Sequence, residues 1–478
     1  MPLVLGVDSS TQATKVEVRD AVSGALVASA RAPHPAVHPP RSEQDPTAWW
    51  EALCLATAEA TADGSRAVAA VSVAAQQHGM VVLDGDGRVL RPAKLWNDTE
   101  SAPEAAAMVD ELGRGGWVSR TGSVPVAAFT VTKLAWLARH EPAAAATVAS
   151  VLLPHDYLTC RLTGRRVTDR GDASGTGYFD PAPGTWEIDL LERFVGPGDW
   201  TARLPTVLGP NEPAGPLDPS GSTGLDIGQG AVVGPGTGDN MAAALGLGLA
   251  PGRACVSIGT SGTVFARSPV PVADPTGAVA GFADADGAFL PLSCTLNATR
   301  VTSAVARLLG VTDQQLDALA LAAPSGASGV TVVPFFDGER TPDRPTATGT
   351  IAGVRSDVTR GDLARAAVEG VVCGLLDALD ALASVVTLDG GPLVLVGGGA
   401  RSPAFRRVLA DLSGRPLLVP GADETVATGA CVQAAAVLLG RPLAEVQEDW
   451  GLGAGTLVEP DDSVDAAVVR GAYAEVRG

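Results

Sequence analysis

An α/β protein built from two related halves around a common cleft is what this sequence predicts, and three observations carry that prediction. Strand-like runs at Leu3–Val7, Lys15–Val18, Ala67–Ala74 and Met80–Leu83 alternate with helical patterns such as Pro46–Ala62. The chain has 478 residues, more than a single core usually supports, so two large domains are expected. A pattern of apolar strand, hydroxyl-rich turn and second strand occurs at GVDSSTQATKVEV (6–18) and again, far downstream, at RACVSIGTSGTVFA (253–266).

In the first hairpin, the polar block from Asp8 to Thr14 sits between two β-branched runs and is expected to form the turn. Ser9, Ser10, Thr11 and Thr14 are small enough to let backbone N–H groups approach an anion. Asp8 can hold a hydrated cation that neutralises it. The combination describes a cradle for metal and phosphate, with Lys15 alongside. Helical patterns follow at Thr132–Arg139 and Tyr157–Leu162, and the Pro/Gly-rich passage Pro205–Gly238 is where the first domain is expected to close. The glycines of GPGTG then allow close backbone approach to a ligand, and Asp239 follows them immediately before a helical run, Asn240–Leu247. An Asp in that place is either a helix cap or a functional carboxylate. After the second hairpin, LVLVGGGARSP (393–403) is a strand and glycine turn opening a helix over Ala404–Leu412.

Composition narrows the function. The hydrophobic share of 46% with 18% charged residues describes a folded core, and the net charge of −19 repels nucleic acid and anionic membrane. A phosphate-bearing ligand must therefore be held by local backbone donors or a metal. The six cysteines carry no CxxC pair, which argues against a zinc site or a disulfide framework. MPLVLGVD has no basic leader pattern, and no apolar run reaches the ~18 residues that span a bilayer, so a cytoplasmic protein is expected. There is no GxxxxGK[ST], and the GGGARS turn lacks the third glycine of a dinucleotide fingerprint. His34 and His38 sit among prolines, as in a rigid surface loop and not a metal site.

The chain resembles the FGGY carbohydrate kinases. GVDSSTQATKV and SIGTSGTV resemble the family's first and second phosphate loops, and VGGGARSPAFRRVLADLSGRPL resembles its adenosine motif and following helix. AQQHGMVVLD (75–84), LWNDTES (95–101), SVPVAAFTVTKLAWL (123–137), HDYLTCRLTG (155–164), TDRGDASGTGYFD (168–180), GTGDNMAAALGLG (236–248) and PFFDGERTPD (334–343) follow in the family's order. The resemblance implies two RNase H-like domains of the actin, hexokinase and heat-shock ATPase type, divided as 1–244 and 245–478, with the active site in the cleft between them. It implies ATP-dependent phosphorylation of D-xylulose to D-xylulose 5-phosphate, with ATP and Mg²⁺ as cofactors. It leaves open ribulose, erythritol-type polyols and glycerol as substrates, and, on the same fold, a non-metabolic ATPase or a sugar-sensing regulator.

The resemblance also distributes roles. Asp239 is the base for the sugar hydroxyl, and Asp8 is the metal ligand. Ser10, Thr11, Thr14 and Lys15 surround the phosphates from one half, and Gly259, Thr260 and Ser261 from the other. Gly398, Gly399 and Ser402 border the adenosine. Gln77, His78, Trp96, Asn97, Asp98, Asp239 and Asn240 form the sugar pocket. Glu100, where many members have Arg, and Gln77, where some have Met, are departures expected within that pocket. Asp169 and Asp172 are expected to be solvated or paired with Arg170, and Glu339 and Arg340 to belong to a structural loop. The partners implied are a small-molecule sugar and ATP, with no nucleic acid and no membrane, and with room for a homodimer.

Overall fold

The computed structural model describes residues 2–62, 68–218, 225, 227–228, 230–421 and 424–478. Ala67, expected as the start of a strand, and residues 219–224, 226 and 229 of the Pro205–Gly238 passage lie outside the described residues. The first hairpin forms as Leu3–Ser9 and Ala13–Asp20, antiparallel, with Asp8 opposite Lys15 and Ser9 opposite Thr14. The turn is therefore shorter than the polar block. Only Ser10 to Gln12 leave the ladder, closed by the Ser10 amide donating to the Ala13 carbonyl at 3.0 Å.

Around this hairpin a sheet grows in a fixed order. Leu26–Pro33 pairs antiparallel on the Ala13–Asp20 side, and Val68–Ala75 pairs parallel with Leu3–Ser9. Val232–Val233 continues the sheet in parallel and Gly215–Pro216 closes it antiparallel. The second sheet repeats the plan. Its hairpin is Ala254–Ile258 with Gly262–Ala266, and Phe289–Thr295 lies antiparallel to the outer strand. Leu393–Val396 and then Leu417–Pro420 extend it in parallel, and Gly455–Val458 closes it antiparallel. The two halves that share a sequence grammar thus share a strand order.

The helices start where local chemistry starts them. Asp45 accepts from the Thr47 amide (2.9 Å) ahead of Pro46, opening Pro46–Ala60. Thr359 and Asp362 make a capping box for the long helix Arg360–Val385. The expected helices at 132–139 and 157–162 extend to Thr130–His140 and Pro154–Thr163. Helix Asp239–Gly246 contains the 244/245 division expected between domains, and the chain passes into the second sheet over residues 247–253.

Each half has its own core, around Leu5, Trp49 and Val71 in the first and Val264, Leu375 and Leu395 in the second. A third apolar cluster joins them at the base of the cleft, bringing Val4, Met241 and Leu245 against Phe265, Phe282 and Val432. Helix Thr425–Leu439, from the second half, lies directly on the first half at two glycines. A Cβ on Gly429 would stand 1.8 Å from the Ala242 carbonyl oxygen, and one on Gly246 would stand 2.0 Å from that of Thr425. Among the described residues no single helix is long and apolar enough to cross a membrane.

Candidate active site

Above that base, both halves line a cavity of about 280 Å³. Gln77, His78, Trp96, Phe129, Asp239 and Asn240 come from the first half, and Gly259, Ser261, Phe282, Cys294 and Arg340 from the second. A second cavity adjoins it, sharing Trp96, Ser261 and Arg340, and there Ser10 and Thr11 face Thr260 across the cleft. The two hairpin turns therefore meet over one opening, as the duplicated grammar predicts.

The glycines ahead of Asp239 have a packing reason. Gly236 has a positive φ of 78°, and a Cβ there would stand 2.5 Å from the His155 ring; one on Gly238 would stand 2.7 Å from the Gln77 side chain. Gly238, not Asp239, is the N-cap residue, so Asp239 occupies the first turn of helix Asp239–Gly246. Its Oδ1 accepts from the Asn240 amide (2.8 Å) and Asn240 Nδ2 (3.0 Å). The same Asn240 Nδ2 donates to Gln77 Oε1 at 2.8 Å, and Gln77 Nε2 has no partner among the described residues. Burial, reinforced by the negative charges of Asp8 and Asp172, pushes the Asp239 carboxyl up to about 7.

His78 has the left-handed backbone φ of 65°, unusual for a side chain of its size. Lys133, buried in the cleft wall, donates to the His78 carbonyl (2.7 Å) and to that of Ala128 (2.6 Å), and Thr130 Oγ1 donates to the same His78 oxygen (3.2 Å). These bonds hold the turn that aims the imidazole. The ring packs between Phe129 and Phe282, with centroids 5.1 and 5.6 Å away, and Gly175 leaves the room it occupies. Burial, with the charges of Lys133 and Arg340, pushes His78 down to about 3, so near neutral pH it is an uncharged donor and acceptor.

Asp8 is buried at the end of its strand, with Lys15 Nζ 3.7 Å from Oδ2. Burial, partly offset by Lys15, pushes it up to about 6. A buried carboxylate whose charge is only partly matched fits a hard divalent cation, so the donor set suits Mg²⁺. Lys15 also pairs with Glu424 at 2.6 Å. Ser10 Oγ donates to the Ala13 carbonyl (3.0 Å) and Thr11 Oγ1 to Gln76 (2.9 Å) while both line the opening.

Several expected contacts are corrected by the packing. Thr14 is fully buried, its hydroxyl bonded to His34 Nε2 at 2.9 Å, so it faces away from the cleft. Asp98 is fully buried at the border of the outer cavity, and its oxygens are engaged by the Ser42 amide (2.8 Å) and Lys94 (3.2 Å), which hold the loop. Glu100 pairs with Lys94 and lines neither cavity, so of the two sequence departures only Gln77 faces the site. Trp96 is 36% exposed and donates to Thr11 Oγ1 (3.0 Å), forming a wall between the cavities; Asn97 borders the outer one. Ser402 caps helix Pro403–Ser413 through the Phe405 amide (3.1 Å) and donates to Asp317 (2.7 Å), so its hydroxyl is already engaged. Gly398 and Gly399 form the turn beside it, Gly399 against Ile258 of the second hairpin.

Asp169 and Asp172 are neither solvated nor paired with Arg170. Asp169 caps the short helix Arg170–Ala173 and accepts from Thr237 Oγ1 at 2.7 Å. Asp172 contacts His155 Nδ1 at 2.7 Å. Against burial, the surrounding Asp156, Asp172 and Asp169 push His155 up to about 9, so the imidazolium is the charge that lets these carboxylates be buried. The network stands behind the Thr237–Asp239 turn. Its pairing spans seventeen positions and had no signal in sequence spacing. Arg340, expected in a structural loop, lines both cavities, whereas its neighbour Glu339 is the structural residue, accepting from the Leu296 amide (2.6 Å) and Asn297 (3.0 Å).

Residues 3–246 match the FGGY family of carbohydrate kinases, N-terminal domain, and residues 254–438 the C-terminal domain, and the chain belongs to that family. It is 48% identical to a xylulose kinase of Streptomyces coelicolor over 471 residues, covering 98% of this chain and 95% of the relative. It is 49% identical to a xylulose kinase of Streptomyces rubiginosus over 459 residues, with 96% and 92% covered. The crystal structure of xylulose kinase from Bifidobacterium adolescentis superposes with a TM-score of 0.87 at 41% identity, covering 100% of this chain and 99% of that one. The enzyme is an ATP-dependent sugar phosphotransferase.

Proposed function

We propose that the enzyme transfers the terminal phosphoryl group of ATP to O5 of D-xylulose. The near-full-length likeness to xylulose kinases supports that substrate. The observation that carries the mechanism is Asp239, half-buried at the cavity with a carboxyl pushed up to about 7. A base of that strength is half ionised at about pH 7 and fully so above it, yet basic enough to accept a hydroxyl proton. Gln77 Nε2, the neutral His78 ring and Asn240 orient the sugar hydroxyls, and the apolar faces of Phe129 and Phe282 keep water out. Asp239 takes the proton of the attacking hydroxyl as its oxygen bonds to phosphorus, and the bond from phosphorus to the bridging oxygen of ADP breaks.

On the nucleotide side, Ser10, Thr11 and Lys15 of the first hairpin, and Gly259, Thr260 and Ser261 of the second, hold the phosphates, with Gly398 and Gly399 against the nucleoside. Asp8 would hold Mg²⁺, which supplies neutralisation of phosphate charge when bound. An ADP-release assay over ketoses and polyols tests the substrate. D-xylulose should give the highest kcat/KM, and higher turnover of ribulose, erythritol or glycerol would displace it.

A further inference from the structure

Arg340 lies half-buried in the second half, on the wall common to the two cavities, so its side chain borders both the sugar cavity and the opening where the hairpin turns meet. Every acidic side chain near it in the PFFDGERTPD loop is already engaged. Glu339 accepts from the amides of Leu296 (2.6 Å) and Arg340 itself (2.7 Å) and from Asn297. Asp343 pairs with Arg114 (3.0 Å) and Asp337 with Arg300 (3.2 Å). Arg340 itself makes no ion pair and no side-chain hydrogen bond among the described residues, in a chain of net charge −19. A guanidinium kept unpaired in such a chain, lining the same cavity as Asp239 from the other half, is arranged for an anion that arrives with the substrates.

The sugar is neutral and has little use for a cation, whereas the transferring phosphoryl group and the phosphorylated product are anions that a planar guanidinium binds by two parallel hydrogen bonds. We propose that Arg340 is a catalytic residue that binds the phosphoryl group during transfer and retains it as the phosphate of the product. The inference rests on the general-base reading of Asp239 but not on which sugar is used. As the hydroxyl oxygen bonds to phosphorus, its proton passes to Asp239 and the bond to the bridging oxygen of ADP breaks. Arg340 then faces the phosphoryl oxygens from the second half, opposite the base.

The test uses Arg340→Gln and Arg340→Lys with whichever neutral sugar the wild-type enzyme turns over fastest in the panel, so a wrong substrate leaves this test intact. Arg340→Gln should lower kcat by ~10²–10³-fold, the range for removing one charge-stabilising donor, while KM for the sugar stays within threefold. Inhibition by the corresponding sugar phosphate should weaken at least tenfold relative to inhibition by ADP. Arg340→Lys, which keeps the charge without the fork, should fall between the two, and added guanidinium should restore part of the Arg340→Gln rate. A kcat within threefold of wild type overturns the proposal. So does a lowered kcat with product inhibition unchanged and no guanidinium rescue in both variants, which is the pattern of a loop that merely holds the cleft in shape.

Discussion

The two hairpins that face each other across the cleft have one topology and opposite chemistry. The first carries charge: Asp8 and Lys15 stand opposite one another in the ladder, and Asp239 adds a second carboxylate from the strand-to-helix turn beside them. The second carries backbone. Gly259, Thr260 and Ser261 form a turn whose carbonyls are tied down by the Ala298 and Thr299 amides, while the Thr260 and Ser261 amides have no acceptor among the described residues. On the mechanism proposed above, the duplicated fold is divided into one half that gathers carboxylates for metal and proton and one that offers amides, with Arg340, to phosphate. The raised carboxyls of Asp8 and Asp239 show what the first arrangement costs in stability.

Asp239→Asn is the largest expected break in that division. It keeps shape and hydrogen bonding but cannot take a proton, so kcat should fall ~10²–10⁴-fold with little change in sugar KM. Stability should move the other way. A carboxyl whose native pKa is raised to about 7 holds a proton that the unfolded chain, near 3.8, has released. Its favourable contribution is therefore complete below pH 3.8 and lost as pH rises through 7. At pH 8 the variant should melt higher than wild type, whereas a carboxylate acting only as a helix cap would leave rate and melting temperature unchanged.

Asp8→Asn should lower activity by roughly 10–10³-fold and raise the magnesium concentration needed for half-maximal rate, since one carboxylate ligand becomes an amide. Titration of rate against Mg²⁺ checks this, and an unchanged requirement would assign Asp8 to the hairpin alone. Gly429→Ala probes the joint between halves instead of the chemistry. Its methyl would press on the Ala242 carbonyl, so unfolding free energy should drop by about 1–3 kcal/mol in denaturant melts. Its kcat should suffer less than in the aspartate variants.

Local chemistry in the sequence was a good guide wherever one segment decides the outcome. Both hairpins and the helices that begin at Pro46, Asp239 and Pro403 lie close to where strand and helix patterns put them. Gln77, His78, Asp239 and Asn240, far apart in the chain, do line one cavity. What a sequence cannot show is whether a polar group is already engaged. Thr14 is taken by His34, Asp98 by Lys94 and Ser402 by Asp317, all through contacts made only on folding. The converse holds for Arg340, whose availability depends on Glu339, Asp343 and Asp337 each having other partners.

The pH dependence of kcat/KM for the sugar, at saturating ATP and Mg²⁺, tests the role of Asp239 most directly. His78 titrates near 3 and so stays neutral across the working range, and saturating Mg²⁺ holds Asp8, about 6 without the metal, in its ionised form, which leaves Asp239 to set the acid limb. The account predicts a rate that is level above neutrality and falls tenfold per pH unit below about 7, with that limb absent from the residual activity of Asp239→Asn. A profile that stays flat down to pH 5, or one whose limb persists unchanged in Asp239→Asn, would contradict it.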